Sequence, residues 1–221
     1  KTASLAEASP LLGTDMCPAV TAPDGTHCVE TSDIMRFVGR RIGMAPAEGS
    51  PEDAKAIEAT LLAQEVLNQV FYGLLMKMAV REVLEQQHLG FICRLIHGKQ
   101  EAYVAEPLVK LTDSMRKFEE ALQASGGPFI CGATLCYADA SVFHVLNEAL
   151  AFRCFDKAAL LASHPKLRAF MSTLEAKAAD WIDKRVREHQ LGIRSTVEFF
   201  ARTNTPFPWS RRTKTYPAPS R

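Results

Sequence analysis

The sequence predicts a small α/β unit followed by an all-helical domain, and three observations carry that prediction. Two short β-like segments flank strong turn chemistry around residues 22–25, a Pro- and Gly-bearing stretch interrupts the chain at 44–52, and beyond it apolar residues recur with a 3.6-residue period. A chain of 221 residues with 47% hydrophobic content can bury a sizeable core, in one large or two small domains.

Residues 1–15 are rich in Ala, Ser and Leu and hold only a weak helical stretch, Leu5 to Leu12, interrupted by Pro10. Cys17-Pro18-Ala19-Val20-Thr21 is a short apolar segment, Ala22-Pro23-Asp24-Gly25 a turn, and Thr26-His27-Cys28-Val29 a second β-like segment, which together predict a hairpin. Glu30, Thr31, Ser32 and Asp33 are helix-start residues, and Ile34, Phe37, Val38 and Ile42 follow at helical spacing until Gly43. The stretch 44–52 has linker composition. Apolar residues then keep helical register through Ile57, Leu61, Leu62, Val66, Val70, Leu74, Met78 and Leu84, predicting one long helix over 52–87. A second helix is predicted over 100–124, stopped by Gly126-Gly127-Pro128, and shorter ones over 137–153, 157–162, 165–176 and 179–190. The domain organisation is therefore 1–43, a linker at 44–52, a helical domain at 53–190 and an extension at 191–221.

Composition narrows the function classes. With 26 basic against 25 acidic residues there is no global field to attract nucleic acid. Six cysteines are scattered without a CxxC pair or the ligand spacings of zinc sites, so no metal is expected, and free thiols in a reducing compartment are. No apolar run reaches the roughly 20 residues of a membrane-spanning helix. The expectation is a soluble intracellular protein, in the cytoplasm or in an organelle such as the mitochondrion.

Three stretches carry a family resemblance. Cys17-Pro18-Ala19-Val20 with Glu30-Thr31, then Gly127-Pro128-Phe129-Ile130-Cys131-Gly132 with Leu135-Cys136-Tyr137-Ala138-Asp139, then His164-Pro165-Lys166-Leu167 through Trp181-Ile182, resemble the glutathione S-transferase superfamily, closest to its sigma, alpha, mu and pi group. The resemblance covers about residues 5–188. It implies a partial thioredoxin-like N-terminal domain followed by the all-helical transferase C-terminal domain.

The resemblance also implies a glutathione site. A cis peptide before Pro18 would leave the backbone of Cys17 free to pair with an extended peptide, a form of strand addition. Thr31 and the first helical N–H groups would hold the glutamyl carboxylate, and Glu30 its ammonium group. The same residues, taken without the family, are a tight turn and an ordinary helix cap. Asp139 occupies the acid position of the family's capping box, whose usual Ser or Thr partner is here Cys136. That substitution is expected to weaken the helix start by about 1 kcal/mol.

In catalytic members the sulfur-activating Tyr, Ser or Cys lies ahead of the position that aligns with Lys1, and the tryptophan and lysine often found before the cis-proline are replaced near Leu5 and Ser9. No residue matches the activating position. Tyr72 and Tyr103 read as ordinary helix residues, Cys17 as either a reactive thiol beside the cleft or an inert half-buried one, and His144 as a core histidine on the apolar face of its helix. The tail from Thr203 to Arg221 combines Pro206, Pro208, Pro217 and Pro219 with Arg211, Arg212, Lys214, Arg221 and the aromatic residues Phe207, Trp209 and Tyr216. It cannot form a core of its own. Two readings follow: an interaction subunit without transferase catalysis, engaging protein partners through the tail and the incomplete first domain, or an active transferase conjugating glutathione to electrophiles against residues 67–78. A homodimer, or a partner on the same surface, is what the resemblance implies.

Overall fold

The computed structural model describes residues 19–74, 100–150 and 155–180. Cys17, Pro18, the stretch from Leu5 to Leu12, most of the expected helix at 179–190 and the extension at 191–221 lie outside the described residues.

The hairpin pairs β1 (Ala19–Thr21) antiparallel with β2 (His27–Val29), with Val20 opposite Cys28. Its turn closes through Gly25 N–H donating to the Ala22 carbonyl at 3.0 Å, and Gly25 supplies the φ of +84° that this geometry needs. Asp24 fastens the turn, accepting from Thr26 N–H at 2.9 Å and pairing with Arg41, the last residue of α1 (Thr31–Arg41). Arg41 also lies over the Phe37 ring, 4.7 Å from its centroid, so the end of α1 is tied to the hairpin it follows.

After turns at 42–49, α2 spans Pro51–Val66. Ser50 is its N-cap: the Oγ accepts from Asp53 N–H at 3.1 Å, with proline at the first helical position. The buried face of α2 carries Ala56, Ala59 and Ala63, side chains small enough to let α4 (Tyr137–Leu150) lie close against it. The helix passes into a π-helical segment, Leu67–Tyr72, in which Val70 and Phe71 are buried. The buried positions Val66, Val70 and Leu74 stay four residues apart, a spacing that an α-helix also gives, so the sequence reads as an uninterrupted helix there. The remainder of that expected helix, from residue 75 on, lies outside the described residues.

α3 (Gln100–Ser125) buries Val104, Leu108, Leu111, Met115, Phe118 and Leu122, an unbroken 4-3-4-3-4 spacing. It carries Pro107 in its interior, where one backbone hydrogen bond is given up. Gly126, at φ +68°, ends it. α5 (Lys157–Ala162) is capped by Asp156, which accepts from Ala159 N–H at 3.0 Å. α6 (Pro165–Lys177) has no cap of its own. Its free N–H groups at Lys166 and Leu167 donate to buried Glu119 of α3, at 3.1 and 2.7 Å. A carboxylate at a helix start is favoured by both hydrogen bonding and the helix dipole.

The helices share one core with Leu111, Phe118, Leu146, Leu160, Leu167 and Phe170 at its centre, each about 1% exposed or less. Burying each such side chain stabilises the fold by about 1.5–3 kcal/mol. His144 is not part of it: the residue is on the exposed side of α4, because Ala138, Val142, Val145, Leu146 and Ala149 define the buried face and position 144 falls roughly 200° from Val142 around the helix. The expectation of a core histidine is corrected accordingly. Among the described residues no helix is long and apolar enough to cross a membrane, and no group of three or more His, Cys, Asp or Glu side chains could hold a metal ion.

Candidate functional site

The junction of β2 and α1 is the candidate site. Glu30, between them, has φ 72° and ψ 131°, the only positive φ at a non-glycine position among the described residues. For a glutamate this conformation costs on the order of 1–3 kcal/mol, and such strain clusters at ligand-holding positions. The first intrahelical bond runs from Ile34 N–H to the Glu30 carbonyl at 2.9 Å, and no side chain caps the helix. The N–H groups of Thr31, Ser32 and Asp33 therefore have no acceptor within the helix. Glu30 is exposed, while Thr31 and Ser32 are half-buried, so an exposed carboxylate stands beside a partly shielded set of donors. An anion held by those donors with an ammonium against Glu30 is what the arrangement can accommodate.

Cys28, on β2, is half-buried. Burial, reinforced by the Asp33 carboxylate, pushes its thiol up from the ordinary value, which favours the neutral form. Cys17 and Pro18, the other residues expected at this site, lie outside the described residues, as do the side chains of Tyr72 and Tyr103.

What orients α1 is a network that sequence inspection missed. Asp53, 2% exposed on α2, takes Arg36 at 3.3 Å and Arg40 at 3.6 Å from α1, and accepts Gly49 N–H at 3.2 Å. Arg40 also pairs with Glu48 at 2.8 Å. The signal that could have found it is Ser50-Pro51-Glu52-Asp53, a capping sequence with an acid three residues after the cap. A second seam joins α1 to α4: Tyr137 N–H donates to the Met44 carbonyl at 2.8 Å, and Gly39 lies so close that an added Cβ would be 2.7 Å from Tyr137 Cβ. The Tyr137 hydroxyl is buried, and burial with the nearby Asp53 carboxylate pushes it up to about 12.

Asp139 is the capping acid at the start of α4. It is fully buried and accepts from Ile130 N–H at 2.8 Å and from Cys136 N–H at 2.7 Å, so one carboxylate closes the turn before α4 and starts the helix. Desolvation raises its carboxyl above the ordinary value, against the hydrogen bonds from Ile130 and Cys136 that lower it. The Cys136 thiol donates toward the Cys131 sulfur, with the two sulfurs 3.6 Å apart.

A family model described as glutathione S-transferase, C-terminal domain, matches residues 97–185. No curated protein matches the chain by sequence. Among solved structures, the glutathione S-transferase Blo t 8 shares the fold with a TM-score of 0.54 at 16% identity, over 78% of this chain and 70% of that one. A ternary complex of BphK, a bacterial GST, aligns with a TM-score of 0.49 at 16% identity, over 76% of this chain and 72% of that one. The strand-turn-strand-helix unit is thus part of a thioredoxin-like domain, set before an all-helical transferase domain. Residues 97–185 thus resemble the C-terminal domain of the glutathione S-transferases, and the chain shares the fold of a solved glutathione S-transferase.

Proposed function

We propose that this chain is a glutathione-binding protein of the transferase fold whose main role is as an interaction subunit of a larger assembly. The observation that carries the binding half is the strained, exposed Glu30 at the head of an uncapped helix beside half-buried Thr31. Strain of that kind persists only where the surroundings hold it, and here it aims the first N–H groups of α1 outward to a carboxylate. Cys17 and Pro18 complete the site in this reading, offering backbone pairing to the cysteinyl part of the peptide.

The interaction half draws on three features. Cys28, two residues before Glu30, is biased toward the neutral thiol, and Tyr137 is buried with a raised hydroxyl, so neither suits the task of holding a bound sulfur ionised. Lowering a thiol pKa by two units takes roughly 2.7 kcal/mol of preferential thiolate stabilisation. Large apolar side chains also face outward at Ile42 on the turn after α1, Leu61 on α2 and Val109 on α3, 62%, 55% and 58% exposed. These suit contact with a second copy or another protein. The Pro-rich basic tail, with Phe207, Trp209 and Tyr216, adds anchors of the type that order on a partner.

Conjugation of glutathione to electrophiles is the second reading, favoured by the π-helical segment at Leu67–Tyr72, which falls in the stretch where the electrophile would lie. Such segments recur at functional sites. Under this reading a bound thiolate attacks an electrophilic carbon, aided by positioning and a stabilised sulfur. Loading the purified full-length protein on glutathione resin and assaying a chlorodinitrobenzene-type substrate separates the two. Retention without turnover, with co-migration in a large complex, is the expected result. Retention with turnover refutes the interaction-subunit reading, and failure to bind glutathione refutes both.

A further inference from the structure

The turn that precedes α4 brings together two of the cysteines, and neither is needed for the glutathione site. Phe129 and Gly132 exchange backbone hydrogen bonds at 3.1 Å, which places Cys131 on a tight turn beside a glycine at φ +103°. Cys136 ends the loop, its N–H held by Asp139 at 2.7 Å. Both thiols are free, with Cys136 donating to the Cys131 sulfur across 3.6 Å and Cys131 donating to the Glu52 carbonyl at 3.3 Å. The two differ in access: Cys131 is half-buried and Cys136 is 3% exposed.

We propose that Cys131 and Cys136 are a dithiol that closes reversibly to a disulfide by exchange with a low-molecular-weight disulfide such as oxidised glutathione. A covalent S–S bond is about 2.05 Å, so the sulfurs must approach by roughly 1.5 Å. The intervening loop can yield, since Gly132 is one hinge and Ala133 and Thr134 are exposed, whereas Cys136 is anchored by Asp139. Cys131 is the attacking residue because it is the one that solvent reaches. The hydrogen bond from Cys136 lowers its thiol, with a smaller contribution from the Lys55 ammonium, while burial, Asp139 and Glu52 oppose. Cys136 is pushed up, by that same hydrogen bond and by burial.

The exchange balances in two steps. The Cys131 thiolate attacks one sulfur of the small disulfide, the S–S bond breaks, and one small thiolate leaves, giving a mixed disulfide on Cys131. Cys136 then loses its proton to the departing thiolate or to water and attacks the Cys131 sulfur, expelling the second small thiol. The protein dithiol gives up two electrons and two protons, and the small disulfide takes both. Closure removes the S–H donor from the Glu52 carbonyl in the first turn of α2, so the redox state of this turn is read at the start of the helix that holds Asp53.

The test is made on the full-length protein in its folded state. After equilibration with oxidised glutathione and alkylation, the tryptic fragment 118–153, which holds these two cysteines and no other, is weighed. The expected result is a fragment two hydrogens lighter with both alkylation events lost, restored by dithiothreitol. Cys136→Ser is expected to trap one glutathione on Cys131, and Cys131→Ser to leave Cys136 unmodified. A wild-type fragment that keeps a bound glutathione, or that is alkylated at both positions, overturns the proposal. The wild-type measurement needs no variant to fold, and it does not depend on the glutathione site at Glu30.

Discussion

Replacing Asp139 by alanine is expected to destabilise the protein by about 3 kcal/mol. The carboxylate is fully buried and is the acceptor for two backbone donors, Ile130 N–H and Cys136 N–H. Each buried donor left without a partner costs about 1–3 kcal/mol, which gives roughly 2–6 kcal/mol for the pair. Desolvation of the carboxylate, visible in its raised pKa, is a cost that the alanine variant escapes, and it brings the net toward the middle of that range. For a chain of this size about 3 kcal/mol corresponds to a fall in Tm of roughly 6–12 °C. Urea unfolding followed by circular dichroism measures it, with Asp113→Asn as the control. Asp113 is an exposed residue of α3 paired with Arg116 and Lys117, and its replacement is expected to change stability by under about 1 kcal/mol. The pH dependence has a definite sign. Because the folded pKa of Asp139 is raised, its contribution is fullest below the ordinary carboxylate value of 3.8 and diminishes as pH rises through the folded pKa. The advantage of the wild type over Asp139→Asn therefore narrows from acid toward neutral pH. A loss under about 1 kcal/mol in Asp139→Ala at pH 7 would mean that the two N–H groups find other acceptors, and the capping argument would fail.

Gly39→Ala is expected to cost about 1–3 kcal/mol by overpacking, since the new methyl meets Tyr137 Cβ at 2.7 Å and Cδ1 at 2.9 Å; thermal unfolding reads it, and an unchanged Tm refutes the close approach of α1 to α4. Glu30→Gly removes the strain at φ 72° and is expected to raise stability by about 1 kcal/mol after the entropy cost of glycine, while weakening retention on glutathione resin. A variant that loses stability and keeps full retention contradicts both halves. Asp24, held well below the ordinary 3.8 by hydrogen bonds from Thr26 and by Arg41, is expected to stay ionised below that pH in an NMR titration. With a depressed folded pKa its stabilising contribution is present above the ordinary value and is lost as pH falls through the folded one, so Asp24→Asn matters at neutral pH and not in strong acid.

Local rules made most of the described elements readable. The hairpin was legible because Pro23, Asp24 and Gly25 are turn residues at fixed offsets. The helix at 165–176 was legible because Pro165 sits at a first helical turn. What escaped depends on residues far apart in the chain. Glu119 caps α6 from a distance of 47 residues, and Arg36 and Arg40 reach Asp53 only because α1 lies against the start of α2. Ser50 was hidden by its surroundings: Pro and Gly around it gave linker composition to a stretch that also contains a helix cap. The half-replaced box at Cys136 was legible as a loss, but not as a gain, because the sulfur of Cys131 is brought near only by the turn at 129–132.

The position of the candidate site is set less by the hairpin that carries it than by the helical domain behind it. Asp53 is the single carboxylate on which two arginines of α1 and the Gly49 N–H converge, and its side chain is 3% exposed while theirs are 34% exposed. Such pairs add little net stability, since the attraction is offset by desolvation. Asp53 Oδ1, Arg36 Nε and the Tyr137 hydroxyl are moreover buried without a protein partner, a further cost to the fold. An apolar contact in the same place would give more stability and less direction. The network fixes which way α1 points: Arg36 and Arg40 are four residues apart and so lie on one face, and anchoring both to one carboxylate sets the rotation of the helix about its axis. That anchoring holds the start of α1, with Glu30 ahead of it, in one orientation against α2. The helix that holds Asp53 thereby orients the element that carries the candidate site.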